Sequence, residues 1–325
     1  MTVFFAALRL FFLSWLFATP AAAELRLLRE WKASPVLLQH VEFSPDPSLL
    51  LTASGGGVGQ LWTTSGQPGP ELKGQRAPMF RAHFRSDGQQ IITTGYDGSA
   101  WIWSPTGERL KALSFHRAAT ADARFLPVTR SSPAGFVSSS DDGQVVIRDS
   151  DGLPLWSGLF VGTARQLAVN QSATLIIAST DNGQIHLISP SPDRRSAKVK
   201  SVNTIHGRIN RISLSPDQTR FAVAGTDGSV TVWQLNGRQL QTLSASSSGW
   251  SRGAVYCSSS SGDLLTIGDD GILKQWSRTG VLIDSLRLSQ QTSLTSIDCA
   301  PNGGVASVVS SNGDLWLVSV RPGQS

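Results

Sequence analysis

Short runs in which apolar and polar residues alternate, each cut off by a turn signal, recur along most of the chain. Residues 209–243 show the unit in full, as "INRISLSPDQTRFAVAGTDGSVTVWQLNGRQLQTL". A strand over residues 209–214 meets the turn Ser215-Pro216-Asp217, and a second strand covers residues 220–224. Asp227-Gly228 leads into a third over 229–234, and Asn236-Gly237 into a fourth over 239–243. A two-residue period over five or six positions, bounded by Gly, Asp, Asn and Pro, predicts a four-stranded antiparallel meander.

The unit repeats. "GYDGSAWIW" at Gly95 to Trp103 returns as "GTDGSVTVW" at Gly225 to Trp233, and the position of the last residue is filled in turn by Trp62, Trp103, Arg148, Ile188, Trp233, Trp276 and Val318. The steps between them are 41, 45, 40, 45, 43 and 42 residues, a period that means stacked supersecondary units. Each anchor follows a turn dipeptide: Gly56-Gly57, Asp97-Gly98, Asp142-Gly143, Asn182-Gly183, Asp227-Gly228, Asp270-Gly271 and Asn312-Gly313. Such pairs are the strongest short hairpin signal, and two central residues at positive φ would match the strand twist. The seventh copy lacks a fourth strand, because only "SVRPGQS" follows Val318. The alternating stretch "ELRLLREW" at residues 24–31 supplies the missing strand and closes the ring, which removes exposed edges. The expected fold is therefore all-β: a seven-bladed β-propeller of four-stranded antiparallel blades over residues 24–325.

These residues resemble the WD40 repeat family in period, in the Ser-Pro-Asp turn, in the Asp-Gly turn and in the Trp that ends the third strand, over residues 37–320. The Trp is lost in copies three, four and seven, and only His206, Asp227 and Trp233 offer the family's set of His, turn Asp and Trp. The resemblance thus implies the fold, but not the family's buried hydrogen-bond network in most blades. Copy three, with Trp156, is also similar to quinoprotein-type propellers.

Composition fits the pattern and adds a compartment. There are 31 glycines and 10 tryptophans, and charged residues make up only 16% of the chain, a β-rich balance. Arg9, the apolar run from Leu10 to Ala18 and the small residues Ala21-Ala22-Ala23 look like a secretory signal peptide over residues 1–23. The run is shorter than the roughly 20 residues of a membrane span, and an uncleaved anchor is the competing reading. The expected location is periplasmic or extracellular. The formal charge of +5 comes from scattered cations in an exported chain, which argues against a nucleic-acid partner. Two cysteines, Cys257 and Cys299, occupy equivalent positions in adjacent repeats; they are expected to be buried free thiols, on the ground that inner strands of neighbouring blades usually stand too far apart for a disulfide.

Candidate chemistry is sparse. Counting back from Phe43, Phe84, Phe125, Val169, Leu214, Cys257 and Cys299, the second residue before each is ordinary core. The positions one and three before read His40 and Glu42, Arg81 and His83, Asp122 and Arg124, then Gln166, Arg211, Tyr256 and Asp298. Charges there must pair or reach channel water. His40, Glu42, Arg81, His83, Asp122, Arg124, Arg211 and Asp298 are the candidate binding residues of a channel mouth, for a partner's tail or a small polar ligand; salt bridges between blades are the structural alternative. "GWSRG" at Gly249 to Gly253 matches a hydrolase elbow, but no helical period follows it. The histidines have no metal-ligand spacing, and no metal or other cofactor is expected. The basic stretch 189–201 reads as a solvated loop, and Asn170-Gln171-Ser172 as a turn that is formally a glycosylation sequon. The implied function is a non-catalytic protein-interaction scaffold, monomeric by itself, whose partners are proteins of the same compartment and whose membrane contact is at most peripheral. A ligand-binding or enzymatic propeller is the alternative.

Overall fold

A computed structural model describes residues 25–321, except residues 76, 115, 129–133 and 258–261. The expected signal peptide, residues 1–23, lies outside the described residues. Among those described, the chain folds into seven four-stranded antiparallel sheets. Among the described residues, no helix is long and apolar enough to cross a membrane. The repeat of residues 209–243 folds as its pattern dictates, into Ile209–Leu214, Arg220–Gly225, Ser229–Gln234 and Gln239–Ser244. Each blade presents its first strand to the axis. These inner strands are Leu38–Phe43, Met79–Phe84, Thr120–Leu126, Ala164–Val169, Ile209–Leu214, Ser251–Tyr256 and Leu294–Cys299.

The ring closes as the missing strand requires. Leu25–Lys32 pairs antiparallel with Asp314–Val320, from Leu25 opposite Val320 to Lys32 opposite Asp314. It forms the outer edge of the seventh blade, and the Leu25 N–H also reaches Asp284 Oδ2 of the sixth at 2.7 Å. The core lies between blades rather than within them. Leu51, Ala53 and Leu61 of the first blade pack on Met79, Ala82, Phe84, Ile91 and Trp103 of the second. Leu38, Val41 and Phe43 pack on Val309, Leu315 and Leu317 of the seventh. Alternation thus serves two interfaces per sheet, which is why strand after strand is buried on both faces.

The central hairpins differ from the expected turn in one respect. Only the glycine takes a positive φ, between 71° and 93° at Gly57, Gly98, Gly143, Gly183, Gly228, Gly271 and Gly313. The Gly98 N–H bonds to the Gly95 carbonyl at 3.3 Å while Asp97 Oδ1 accepts the Ser99 N–H at 3.1 Å. This is a three-residue loop, a type I turn with a left-handed glycine, rather than the two-residue mirror-image turn. A side chain at Gly98 would also drive a Cβ to 2.8 Å from the His116 carbonyl oxygen. Glycine is required there twice over, by backbone and by space.

Two other expectations are corrected. The basic stretch 189–201 is not a loop that interrupts the fourth blade but its outer hairpin, between Gln184–Pro190 and Ala197–Asn203. Arg194 in its turn is buried and donates to the Pro127 carbonyl of the third blade at 2.9 Å. Cys257 and Cys299 are joined in a disulfide, with Cα atoms 5.2 Å apart. Neighbouring inner strands converge toward the axis, and at this end they come within bridging distance.

Candidate functional site

The loop faces are organised by one recurring tie. The turn between second and third strands donates an N–H to the carbonyl just ahead of the same blade's inner strand, as in Tyr96 to Pro78 (3.1 Å), Asp141 to Ala119 (3.0 Å), Asp181 to Thr163 (3.1 Å), Thr226 to Arg208 (3.0 Å) and Asp269 to Trp250 (3.0 Å). These ties place the inner-strand starts around one mouth of the channel, here called the upper mouth.

Side-chain relays stiffen the same region. In the fifth blade Trp233 donates to Thr231 Oγ1 (2.8 Å), which meets His206 Nε2 (2.9 Å), whose Nδ1 meets Asp227 (2.8 Å). The sequence picked out this set. It missed two substitutes: in the second blade Gln75 stands where histidine is expected, bonded to Thr93 (3.1 Å) and Ser99 (3.0 Å), with Trp103 on Thr93 at 2.9 Å. In the third, His116 links Ser138 (2.9 Å) and Asp142 (3.2 Å) although Arg148 replaces the Trp. A relay needs donors and acceptors in order, and glutamine supplies both.

Deeper in the channel the predicted cluster assembles around His83. Its Nδ1 meets Glu42 Oε2 and its Nε2 meets Asp122 Oδ1 at 2.9 Å, so one buried ring joins carboxylates of the first and third blades. Arg124 approaches both acids at 3.9 Å. Each acid also accepts a backbone N–H from the next blade: Glu42 from Phe84 (3.0 Å), Asp122 from Leu167 (3.0 Å) and Asp298 from Phe43 (2.8 Å). The three carboxylates therefore staple four inter-strand seams, since His83 adds its own.

Electrostatics separate the acids. Burial works to raise the Asp122 carboxyl, but the charges of His83 and Arg124 hold it well below the ordinary range. Glu42 follows the same logic, with burial opposed by His83 and Arg124. At Asp298 burial first and then the Glu42 charge outweigh the Phe43 N–H and the Arg211 charge and push it up to about 7. His40 is fully buried, stacks edge-on to His83 at 4.6 Å, and is kept neutral by burial and by the charges of His83, Arg211, Arg81 and Arg124. The ligand atoms of His40, Glu42 and His83 lie within 4.8 Å of one another, a convergence that linear spacing hid because it is built from two adjacent blades. His83 already spends both nitrogens on carboxylates and three arginines press on His40, so a shared proton suits this cluster better than a divalent cation.

The upper mouth holds residues the sequence reading left out. Every inner strand carries a register shift near its start, at Leu38/His40, Met79/Arg81, Thr120/Asp122, Ala164/Leu167, Ile209/Arg211, Ser251/Gly253 and Leu294/Ser296. A bulge re-aims the extra residue. Positions that strict alternation assigns to the core, among them Arg165 and, once the sixth blade is counted from Tyr256 as its register requires rather than from Cys257, Arg252, thus line a cavity of about 300 Å³ together with Arg81 and Arg208. Arg165 is held by Asp141 at 3.5 Å and Arg252 by Asp269 at 2.7 Å. The "GWSRG" segment forms no elbow, since Ser251 is the buried first residue of an inner strand.

Seven four-stranded blades with Trp-to-Thr or Trp-to-Thr-to-His relays define a WD-type propeller. The WD40 pattern (WD domain, G-beta repeat) matches residues 66–104 and 199–234. A WD repeat-containing protein of Synechocystis, slr1409, is 37% identical over 228 residues, 70% of this chain and 67% of that protein. A second Synechocystis WD repeat-containing protein, slr1410, is 28% identical over 217 residues, 66% of this chain and 63% of its own length. The mouse F-box-like/WD repeat-containing protein TBL1X is 30% identical over 83 residues, 25% of this chain and 16% of its own. The chain belongs to the WD repeat family, and it spans about two thirds of the length of its two Synechocystis relatives. Propellers of this family generally act as non-catalytic platforms for protein interaction.

Proposed function

We propose that the protein is an exported, non-catalytic interaction scaffold that docks partner proteins of its own compartment on the upper face. The observation that carries this reading is the commitment of the channel acids: Glu42, Asp122 and Asp298 each hold a backbone N–H of the next blade, as structural charges do and as a general acid or base would not. Around the upper mouth, Tyr96, Val161, Ile205 and Trp250 stand exposed on the connecting loops, at 61%, 80%, 59% and 36% of their surface. Apolar side chains on a rigid rim are what a partner interface uses. Export is supported by the leader-like residues 1–23 and by the Cys257–Cys299 disulfide, which persists in an oxidising compartment.

Photo-crosslinking residues placed at Tyr96 or Val161, compared with Gln89 on the opposite face, test the docking claim in intact cells. A discrete protein adduct from the upper positions alone is expected; equal labelling from Gln89, or none anywhere, overturns it. Fractionation and N-terminal sequencing test export, with a mature chain beginning at Glu24 expected and an uncut chain in the cytoplasm overturning it.

A further inference from the structure

The acids of the channel are all engaged, but three of its arginines are not. Among the described residues, Arg81, Arg208 and Arg211 have no carboxylate within 4.0 Å, in contrast to Arg165 and Arg252 beside them. Arg81 gives Nη1 to the Gln39 and Phe80 carbonyls at 3.0 and 3.2 Å, and its Nε finds no acceptor; the buried Nε atoms of Arg208 and Arg211 find none either. Arg81 comes from the second blade and Arg208 and Arg211 from the fifth; Arg211 repels Arg81, and Arg165 and Arg252 repel Arg208. Burial, then the Arg211 charge, lowers Arg81 to about 10, and burial lowers Arg211 and Arg208, the latter with a contribution from Arg165. The acids that act on them at longer range are Asp122 on Arg81, Asp298, Asp122 and Glu42 on Arg211, and Asp181 and Asp141 on Arg208. Each already has another partner: Asp122, Asp298, Glu42 and Asp181 accept backbone N–H groups, and Asp141 holds Arg165.

Unpaired buried cations are costly, and several that repel one another more so. Such a group gains most if something negative joins it, and here Arg81 and Arg208 border a cavity of about 300 Å³ that opens at the upper mouth, with Arg165 and Arg252 beside them. That volume is at the lower end of small-molecule sites. Planar guanidinium groups with free N–H donors match the oxygens of carboxylate and phosphate.

We infer that the upper mouth is a binding site for a small polyvalent oxyanion, a di- or tricarboxylate or a phosphate compound, held by Arg81 and Arg208 with Arg165 and Arg252 at the rim. The bulges are what build it, because they turn the rim arginines inward. Such a ligand would occupy the axis whether or not a partner covers the rim, and its loss would leave the docking loops intact.

The test is titration of the purified mature protein with pyrophosphate, inorganic phosphate and citrate, by calorimetry and by thermal melting, at constant ionic strength set with chloride. Saturable binding of at least one, with a rise in Tm, is expected. Arg208→Gln should weaken that ligand at least tenfold while raising the ligand-free Tm, since it removes a repelling charge; Arg208→Lys should fall between, and the exposed hairpin variant Arg195→Gln should bind as wild type. A Tm that follows ionic strength alone, or the same dissociation constant in wild type and Arg208→Gln, overturns the inference. So does saturable binding of a Glu-rich peptide with none of the small anions, which would make the arginines part of the protein-docking surface.

Discussion

Glu42 and Asp122 sit on inner strands two blades apart, and both carboxylates close on one imidazole, that of His83. The ring is buried, and its partners spend their remaining oxygens on backbone N–H groups of the following blades. A side chain that joins three blades at the axis is a structural fastener first.

His83→Ala should therefore be severely destabilising. It leaves two buried carboxylates without their shared donor, a class of change that costs about 3–5 kcal/mol. Urea unfolding of the variant should show a large drop in midpoint with little change in slope. A loss below about 1 kcal/mol would mean the acids are satisfied without the ring.

Asp298 makes stability depend on pH in a window of its own. Burial and the Glu42 charge raise its folded-state pKa to about 7, whereas in the unfolded chain it ionises near pH 4. Between these values the folded state keeps a proton that the unfolded state has released, so this carboxyl's contribution to stability falls as pH rises from about 4 to about 7, then levels off. Asp298→Asn keeps an oxygen for the Phe43 N–H. The variant should match wild type near pH 4 and exceed it at pH 8, by an amount on the order of a few kcal/mol at about 1.4 kcal/mol for each tenfold displacement of the proton equilibrium. His40 pulls the opposite way, since its lowered pKa favours folding above its unfolded value and loses that contribution as pH falls. It is present in both proteins and drops out of the difference. A difference that stays flat from pH 4 to 8 refutes the assignment.

The Cys257–Cys299 disulfide closes a loop of 42 residues between two blades. Loop-closure entropy puts its contribution at about 4 kcal/mol. Native protein should not react with a maleimide until reduced, and reductant should lower Tm. Cys257→Ala/Cys299→Ala should melt at the reduced protein's temperature and be indifferent to reductant.

Thr93 stands at the centre of the second blade's relay, accepting from Trp103 and donating to Gln75. Thr93→Val keeps the shape and removes both functions, leaving a buried indole N–H unpaired. A loss of about 1–3 kcal/mol is expected from thermal or urea unfolding. Gln75→Leu should be partly additive with it, because the two residues share one hydrogen bond.

The fold was readable because its determinants are local. Asp97-Gly98 and its six counterparts, the Ser215-Pro216-Asp217 turn and the alternation between them fix strands to within a residue. The channel residues at His40, Glu42, His83 and Asp122 were readable too, as charges where alternation points to the axis. What stayed hidden depends on departures from alternation or on distances between repeats. Arg165 and Arg252 count as core positions unless a bulge shifts them, and no residue type announces that bulge. Cys257 and Cys299 read as equivalent, but Cys299 ends its inner strand while Cys257 follows Tyr256 and matches Ala300, and whether they bridge depends on how closely two such segments approach. Gln75 carries no family signal, because the family's motif has a histidine there, whereas the relay asks only for a donor and an acceptor.

Ring closure by Leu25–Lys32 sets an order of events during synthesis. Leu25–Lys32 must wait for its partner Asp314–Val320, which is made long after it, with 282 residues between Lys32 and Asp314 in sequence separation. The entropy of joining such distant segments is modest, since each doubling of the span adds only about 0.6 kcal/mol. Time is the greater burden: until Val320 arrives, Asp284 has no Leu25 N–H to hold and the seventh blade has no outer edge. A nascent chain that stalls before Asp314–Val320 is left with an open sheet for chaperones and proteases to find, so the latch doubles as a check that all seven blades have been made.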